Sequence, residues 1–335
     1  MDETFQLEPD IAEALVDLPP EFARFGRTYQ TDIRPMLRTR EADRQKAAQR
    51  ARYGALAGGA VALAGGAAGL FLFNMQELVI ISIIAGVGIG AAASSALRTL
   101  SGEAKEFLVR PIADSFDLSF RPKPGRVQTL DQHRRLGLVP SYDRSNFEDH
   151  LSGAHQGVAF EFFEAHLKER RTTTSNGRTR TKYVTVFRGQ CLRFEFHKRF
   201  FGETIVRRDA GWFNVFGGRK GMDRARLEDP EFEKAFEVYT NDQVEARFLL
   251  TPDMMQSLVD LEETFRGKKL RCAFSGEHLF LAVEGADLFE PGSMFKPLDN
   301  PQRVRELLLD FAAVFNVIER VSARRKAEAT ARGEP

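Results

Sequence analysis

Two long runs of uncharged, mostly apolar residues stand near the start of an otherwise charge-rich sequence. The first run is Tyr53–Phe73 and the second is Leu78–Leu97, with only Asn74–Glu77 between them. A helix of about 20 residues spans roughly 30 Å, which is the thickness of the hydrocarbon core of a bilayer. A helix buried in a soluble core rarely stays wholly apolar beyond about 14 residues. The pattern therefore predicts a transmembrane helical hairpin with a short polar tip.

Glycines recur four residues apart within both apolar runs. The pairs are Gly54 and Gly58, Gly65 and Gly69, and Gly86 and Gly90. In lipid, apolar surface gives helices no drive to associate, and small residues one turn apart let two backbones approach closely. We favour packing of the two helices against each other within one chain. A glycine zipper between chains, and hence a homo-oligomer, is the alternative that this spacing leaves open.

Basic residues flank the hairpin on both sides and are absent from its tip. They are Arg34, Arg38, Arg40, Arg44, Lys46, Arg50 and Arg52 before it, and Arg98, Lys105 and Arg110 after it. Loops rich in Lys and Arg stay in the cytoplasm. The sequence thus predicts a multi-pass membrane protein with both termini cytoplasmic and the lipid bilayer as its first partner.

After the hairpin, the period of the apolar positions changes from helical to strand-like. We expect an acidic tail and a basic helix over residues 1–52, the hairpin over 53–97, a helical connector over 98–146, an α+β domain over 147–322 and a frayed tail over 323–335. The predicted fold class is α+β, with an N-terminal two-helix transmembrane hairpin and a cytoplasmic, mostly antiparallel β-sheet domain with covering helices.

Strands are predicted where Phe and Val alternate with polar residues. Gly157–Lys168 and Lys182–Phe196 are two such segments, and the polar, basic stretch Arg170–Arg180 between them contains an Asn-Gly turn signal. This is the pattern of a long β-hairpin with a solvated tip. In the second segment Val184, Val186, Leu192, Phe194 and Phe196 share one parity, and in His278–Val283 the residues Leu279, Leu281 and Val283 alternate with others. Each segment is therefore expected to bury one face.

Helix starts carry their own signatures in the second half of the chain. Asp229 precedes Pro230, and Asp242 precedes Glu245 by three residues. An Asp before a first-turn proline, and an Asp with a Glu three residues later, are typical N-terminal caps. Asn300–Val321 has apolar residues every three or four positions, which predicts an amphipathic helix.

Charge and cysteine content narrow the possible functions. The formal net charge is +1 and the chain has two cysteines, Cys191 and Cys272. A nucleic-acid-binding protein carries a basic excess, so no nucleic-acid partner is expected. Two cysteines cannot build a disulfide framework or a Cys-rich zinc site. Both lie in apolar strand patterns, where a thiol is inert rather than nucleophilic.

Candidate metal ligands and catalytic motifs give no site. Three histidines and three acids gather in one region, namely His150, His155, His166, Asp149, Glu161 and Glu164. Their spacing matches no known ligand pattern, so we expect polar residues on a half-exposed sheet and no metal. The sequence has no GxSxG, P-loop or strand-to-helix GxGxxG motif. No catalytic residue and no cofactor are predicted.

The most suggestive segment is Ala210–Gly221, which combines aromatic, glycine and basic residues. The candidate contact residues in it are Trp212, Phe213, Phe216, Arg219 and Lys220. Aromatic and basic side chains on a glycine-rich loop suit contact with a bilayer surface or a protein partner. The alternative, that the aromatic side chains fold back on the core, is the one we favour, because single exposed apolar residues are common.

Several segments together resemble a known family. They are Val186–Asp209, Leu227–Leu258, Phe274–Gly285 and Leu288–Ser293 after an apolar hairpin, and Leu227–Leu258 includes the specific run PEFEKAFEVYTNDQVEAR. This set resembles the bacterial membrane-protein family called domain of unknown function 3137, over about residues 20–320. The resemblance implies a two-helix anchor in the bacterial inner membrane and a cytoplasmic domain. It supplies no activity and no catalytic residues.

These observations favour a membrane-anchored cytoplasmic binding or scaffold domain that is not an enzyme and that binds a protein partner or the membrane surface. One alternative is an enzyme of unfamiliar type acting near the membrane. The other is an oligomeric glycine-zipper assembly in the membrane, with the soluble domain as its regulator.

Overall fold

The computed structural model describes residues 6–22, 25–72, 75–175, 178–196, 199–208, 221–265 and 267–332. The helices in these residues are α1 (Pro9–Ala14), α2 (Phe25–Thr28), α3 (Arg34–Ala67), α4 (Gln76–Ala93), α5 (Ser95–Ser115), α6 (Thr129–Arg135), α7 (Pro230–Ala235), α8 (Gln243–Leu249), α9 (Pro252–Thr264) and α10 (Pro301–Arg332). The strands are β1 (Ser119–Arg121), β2 (Arg144–His155), β3 (Val158–Ser175), β4 (Arg178–Glu195), β5 (Thr204–Arg208), β6 (Asp223–Ala225), β7 (Phe236–Thr240), β8 (Lys268–Ser275) and β9 (His278–Glu284).

The chain divides into two compact units that are not contiguous in sequence. One unit comprises Met1–Ile112 with Phe289–Leu309, and the other comprises Ala113–Leu288 with Asp310–Pro335. We call them the helical unit and the sheet unit. Residues 113–146, expected as part of a helical connector, lie in the sheet unit and contain β1 as well as α6.

In the helical unit, the described part of the acidic N-terminal segment, which begins at residue 6, is folded rather than loose. Ile11 and Ala14 of α1 are fully buried. The buried Arg34 guanidinium donates to the carboxylates of Glu8 and Asp10, each at 2.6 Å. Hydrogen bonds between ionised groups are stronger than neutral ones, so these two acids fix the segment to the start of α3.

The apolar hairpin of the helical unit is formed by α3 and α4. The first helix continues from Arg34 without interruption through the π-helical turn Ala68–Leu72. The second helix ends at Ala93 and not at Leu97, where the sequence pattern ends. The hydroxyl groups of Ser94 and Ser95 donate to the carbonyl oxygens of Gly90 and Ala92, at 2.8 and 2.7 Å. Such bonds compete with the helical ladder, which explains the turn between α4 and α5.

The sheet unit contains one nine-stranded sheet in the order β1-β2-β3-β4-β9-β8-β5-β7-β6. Every neighbouring pair is antiparallel. The predicted α+β class with a large antiparallel sheet and N-terminal helices is therefore confirmed. The sequence pattern predicts no strand before Gly157, yet β2 is present and pairs with β3 along most of its length.

The central strands are buried on both faces, so the one-face expectation is wrong. In β4, Phe187 and Cys191 have the opposite parity to Leu192 and Phe194, and all four are fully buried. Residues 279–283 of β9 are likewise all buried. On one face lies α6, whose buried His133 has its Nε2 atom 3.1 Å from the carbonyl oxygens of both Leu192 and Leu281.

The predicted helix caps are present, with one difference. The Asp229 carboxylate accepts from the backbone N–H groups of the first turn of α7, and Asp242 does the same for α8. Glu245 does not close a capping box on Asp242. Its carboxylate instead accepts from the backbone N–H groups of Phe201 and Gly202, at 3.0 and 2.7 Å, and so holds the loop before β5.

Candidate functional site: the apolar hairpin and the surfaces of the sheet unit

The hairpin exposes the apolar side chains that a soluble protein would bury. Two helical stretches, Phe25–Leu72 and Gln76–Ala93, each contain an 18-residue window of mean hydropathy 1.8, and only 11% of each window is buried. Leu63 is 77% exposed, Phe71 84% and Ile84 66%. An apolar surface of this extent marks a contact with lipid or with protein. By length and composition, both helices can cross a membrane.

Close contact between the two helices depends on glycine. A Cβ built on Gly58 would overlap the carbonyl oxygen of Gly86, and one on Gly54 would overlap the side chain of Ala93. A Cβ on Gly65 would overlap Ser82, and one on Gly69 would lie 3.0 Å from the Val79 side chain. Of the six glycines singled out in the sequence, Gly90 differs, since no described atom lies within 4 Å of its built Cβ.

A buried serine adds a polar contact at the centre of the hairpin. Ser82 is 7% exposed, and its hydroxyl donates to the carbonyl oxygen of Val79 at 2.9 Å and lies 3.5 Å from that of Ala62 on α3. A hydroxyl group that donates a hydrogen bond to a carbonyl oxygen of its own helix needs no water as a hydrogen-bond partner. The hairpin core is therefore compatible with an apolar surrounding.

Two of the basic residues that precede the hairpin act inside the helical unit. Arg34 is engaged by Glu8 and Asp10, as described above. Arg44 is 6% exposed, bonds Glu41 within its own helix and donates to the carbonyl oxygen of Met294 at 2.9 Å. These two arginines hold the unit together, and five others, namely Arg38, Arg40, Lys46, Arg50 and Arg52, are exposed.

The candidate metal ligands are dispersed, and their central acid is engaged by protein groups. The Glu161 carboxylate lies 2.8 Å from His150 Nε2 and 3.3 Å from Arg193, and it accepts a hydrogen bond from the Thr129 hydroxyl. Burial alone would raise the pKa of Glu161, but the bonds from His150 and Thr129 outweigh it and lower the pKa to about 2. This cluster joins α6 to the sheet.

The other two histidines lie elsewhere in the sheet unit. The His155 ring stacks on Phe315 with ring centres 4.0 Å apart, and its Nε2 lies 3.3 Å from Glu319. His166 bonds the Thr185 hydroxyl at 2.8 Å. Glu164 accepts from the backbone N–H of Leu288 at 2.5 Å. Each group has its own structural partner, and the three histidines do not converge on one point.

Both cysteines are fully buried, in β4 and β8. Burial raises the pKa of the Cys191 thiol and of the Cys272 thiol well above their ordinary value. A nucleophilic cysteine needs a stabilised and accessible thiolate, so neither thiol is set up as a nucleophile.

A cleft of about 710 Å³ opens between the segment 123–127, α6 and the start of β2. Its charged lining residues are Lys123, Arg126, Asp131, Arg134 and Glu148. Asp131 pairs with Arg126 at 3.0 Å and with Arg134 at 3.4 Å. The volume falls in the range of small-molecule sites. Sequence reasoning missed this cleft, because three separated segments form it.

The predicted contact loop cannot be compared with these surfaces. Trp212, Phe213, Phe216, Arg219 and Lys220 all lie outside the described residues. Among the described residues of the sheet unit, the apolar side chains of Phe201 and Val244 are 88% and 80% exposed.

Comparisons with known proteins give a family and one solved structure. A family model described as "Protein of unknown function (DUF3137)" matches residues 185–322. A crystal structure of the mycobacterial trehalose monomycolate transport factor A, TtfA, is similar with a TM-score of 0.33 and 10% sequence identity, and the similarity covers 65% of this chain and 96% of that one. No curated protein matches. The family resemblance predicted from the sequence over about residues 20–320 is thus confirmed for residues 185–322, which match the DUF3137 family model.

Proposed function

We propose that the α3–α4 hairpin anchors this protein in a membrane and that the sheet unit is a cytoplasmic binding module. The exposed apolar surface of the hairpin carries the proposal. Leaving a large apolar side chain in water rather than burying it costs about 1.5–3 kcal/mol. With Leu63, Phe71 and Ile84 all more than half exposed, a bilayer is the surrounding that removes this cost along both helices.

The charge of the flanks supports a cytoplasmic sheet unit. Arg38, Arg40, Lys46, Arg50 and Arg52 are exposed before the hairpin, and the tip Asn74–Glu77 contains neither Lys nor Arg. The positive-inside rule counts such residues near the ends of membrane helices. It places both ends of the hairpin, and with them the sheet unit, on the cytoplasmic side.

A binding role for the sheet unit is supported by how its reactive side chains are used. Glu161 is held by His150, Thr129 and Arg193, and both thiols are buried. These groups stabilise the fold, while the apolar side chains of Phe201 and Val244 and the charged side chains of Arg171 and Arg180 are exposed. Contact surfaces of that kind suit a partner or a membrane better than they suit a reaction.

The proposal is tested by fractionation and a topology reporter. The full-length chain should sediment with membranes, resist alkaline extraction and dissolve in detergent. A reporter fused to the carboxyl end should be active only in the cytoplasm. Ile84→Arg should reduce the membrane-bound fraction, because a charge at the centre of a membrane helix costs about 3 kcal/mol, whereas Ile84→Leu should not. Full solubility without detergent, or a periplasmic reporter, would refute the proposal.

A further inference from the structure

The hairpin of β3 and β4 extends well beyond its neighbours in the sheet. Pairing of β2 with β3 ends at Lys168, and pairing of β9 with β4 ends at Gly189. Residues 169–175 pair only with residues 178–184 in the described ladders. At about 3.3 Å per residue, this two-stranded segment, which we call the ribbon, reaches roughly 23 Å from the sheet.

The two faces of the ribbon differ in chemistry. One face begins with Arg170 opposite Tyr183 and continues with threonines. On it the hydroxyls of Thr172 and Thr181 lie 3.4 Å apart, and those of Thr174 and Thr179 lie 3.3 Å apart. Successive residues of a strand point to opposite faces, so Arg171, Lys182 and Arg180 share the other one. We call these the threonine face and the basic face.

The basic face carries more cationic side chains than the acidic side chains of the described residues neutralise. Arg171 stands directly opposite Lys182, and Arg180 stands opposite Thr173. All three cations are exposed. One acid of this face, Glu169, pairs with Arg171 at 3.0 Å. Like charges placed directly across a strand pair destabilise it, so the ribbon keeps an arrangement that an external anion would stabilise.

We propose that the basic face of the ribbon binds the phosphate groups of anionic lipids at the cytoplasmic surface of the membrane. This inference rests on the proposed function, because a chain anchored by its own hairpin meets that surface at high effective concentration. Each Lys or Arg near such a surface strengthens binding about fivefold. Three cations together give roughly a 100-fold effect.

The form of the ribbon favours a lipid surface over a nucleic acid. The chain has a net charge of only +1, whereas a nucleic-acid-binding protein carries a broad basic excess. Positions 170–174 and 179–182 are all polar or charged, so the contact is with headgroups, without insertion. Binding of this kind weakens steeply with salt.

The test uses the full-length chain reconstituted into bilayers, with a fluorophore on Thr173→Cys. Because Cys191 and Cys272 are fully buried, the introduced thiol is the one that reacts in the folded protein. A quencher attached to lipid headgroups then reports when the basic face touches the bilayer. The bilayers are phosphatidylcholine alone, or an equal mixture of phosphatidylcholine and phosphatidylglycerol.

We expect strong quenching on the anionic bilayer, little on phosphatidylcholine, and reversal at high salt. Replacing Arg171, Arg180 and Lys182 by Gln should lower the ratio of bound to free ribbon roughly 100-fold. The matched control, Glu at Thr172, Thr179 and Thr181, changes the net charge by the same amount on the threonine face. It should lower that ratio by less than about tenfold, since the added charges lie away from the bilayer.

Several results would overturn the inference. One is equal quenching on the two bilayers, and another is an equal effect of the two triple variants. A third is a ribbon that binds an oligonucleotide while its label stays unquenched on the anionic bilayer. The salt and lipid comparisons need only the labelled Thr173→Cys protein, so they decide even if one of the charge variants misfolds. A chain that fails to enter bilayers at all would refute the anchor itself, a result distinct from an incorporated chain with an unquenched label.

Discussion

The backbones of Gly58 and Gly86 meet inside the α3–α4 hairpin, where a Cβ on either residue would overlap the carbonyl oxygen of the other. Gly59 is the next residue along, yet a Cβ built there has no described atom within 4 Å. Two adjacent glycines of one helix therefore have different surroundings. Substituting each of them in turn distinguishes the effect of helix–helix contact on stability from the effect of helix propensity.

Gly58→Ala should destabilise the hairpin, because the added methyl group would push the two backbones apart. Overpacking of this kind costs about 1–3 kcal/mol. Gly59→Ala should leave stability unchanged or raise it by up to about 1 kcal/mol, since Ala favours helix. Thermal unfolding of the detergent-solubilised protein measures both. Equal melting temperatures for the two variants would contradict this account of the hairpin.

Glu161 should make stability depend on pH in the acid range. Its pKa in the folded protein is about 2, below the ordinary 4.5, so it binds a proton less readily when folded. It therefore adds stability above about pH 4.5, and this contribution is lost as the pH falls toward 2. The full effect is on the order of 3 kcal/mol.

Glu161→Gln should thus lower the stability of the protein at neutral pH. It should also weaken the dependence of stability on pH between about pH 2 and pH 4.5. Chemical denaturation over a pH series gives the measurement. Glu231→Gln provides the comparison, because that side chain is 83% exposed and should change little. A pH dependence identical to the wild type would rule out the role assigned to the Glu161 cluster.

Asp242→Ala should destabilise the sheet unit by about 0.5–2 kcal/mol through loss of the cap on α8. Its carboxylate accepts from the backbone N–H groups of Val244 and Glu245, at 3.0 and 2.9 Å. Val244→Ala in the same helix should change stability by less than about 0.5 kcal/mol, because the side chain is 80% exposed. Denaturant titration distinguishes the two, and a larger loss for Val244→Ala would be the unexpected outcome.

Neither cysteine should react with a thiol reagent in the folded protein. Cys191 and Cys272 are 0% exposed, and burial raises the pKa of both thiols. We expect maleimide to label them only after denaturation, as read by mass spectrometry. Rapid labelling of either residue under native conditions would show that the sheet opens around β4 or β8.

The antiparallel sheet was predictable from alternating apolar residues, but β2 was not. Its residues Arg144–His155 are mostly polar, and the pairing with β3 shifts register between Glu148 and Leu151. Asp149 lies there with a φ of 51°, a conformation that interrupts alternation. A strand made mostly of polar residues and interrupted by a bulge gives no periodic signal.

The surfaces were less predictable than the core. The cleft at Lys123, Asp131 and Glu148 brings together residues from separate segments, and only tertiary structure does so. The basic content of Arg170–Arg180 was visible in the sequence, where it was interpreted as a solvated loop. What the sequence could not provide was the regular pairing up to Ser175 and Arg178, which sorts the side chains onto two unlike faces.

The meeting of Gly58 with Gly86 also limits how this protein can assemble with other chains. Backbone atoms of α4 already cover that side of α3. A second molecule could therefore contact it only if the two helices of the hairpin separated. Association through these two helices would have to use the outward side, where Gly59, Gly66 and Gly88 have no described atom from outside their own helix within 4 Å of a built Cβ.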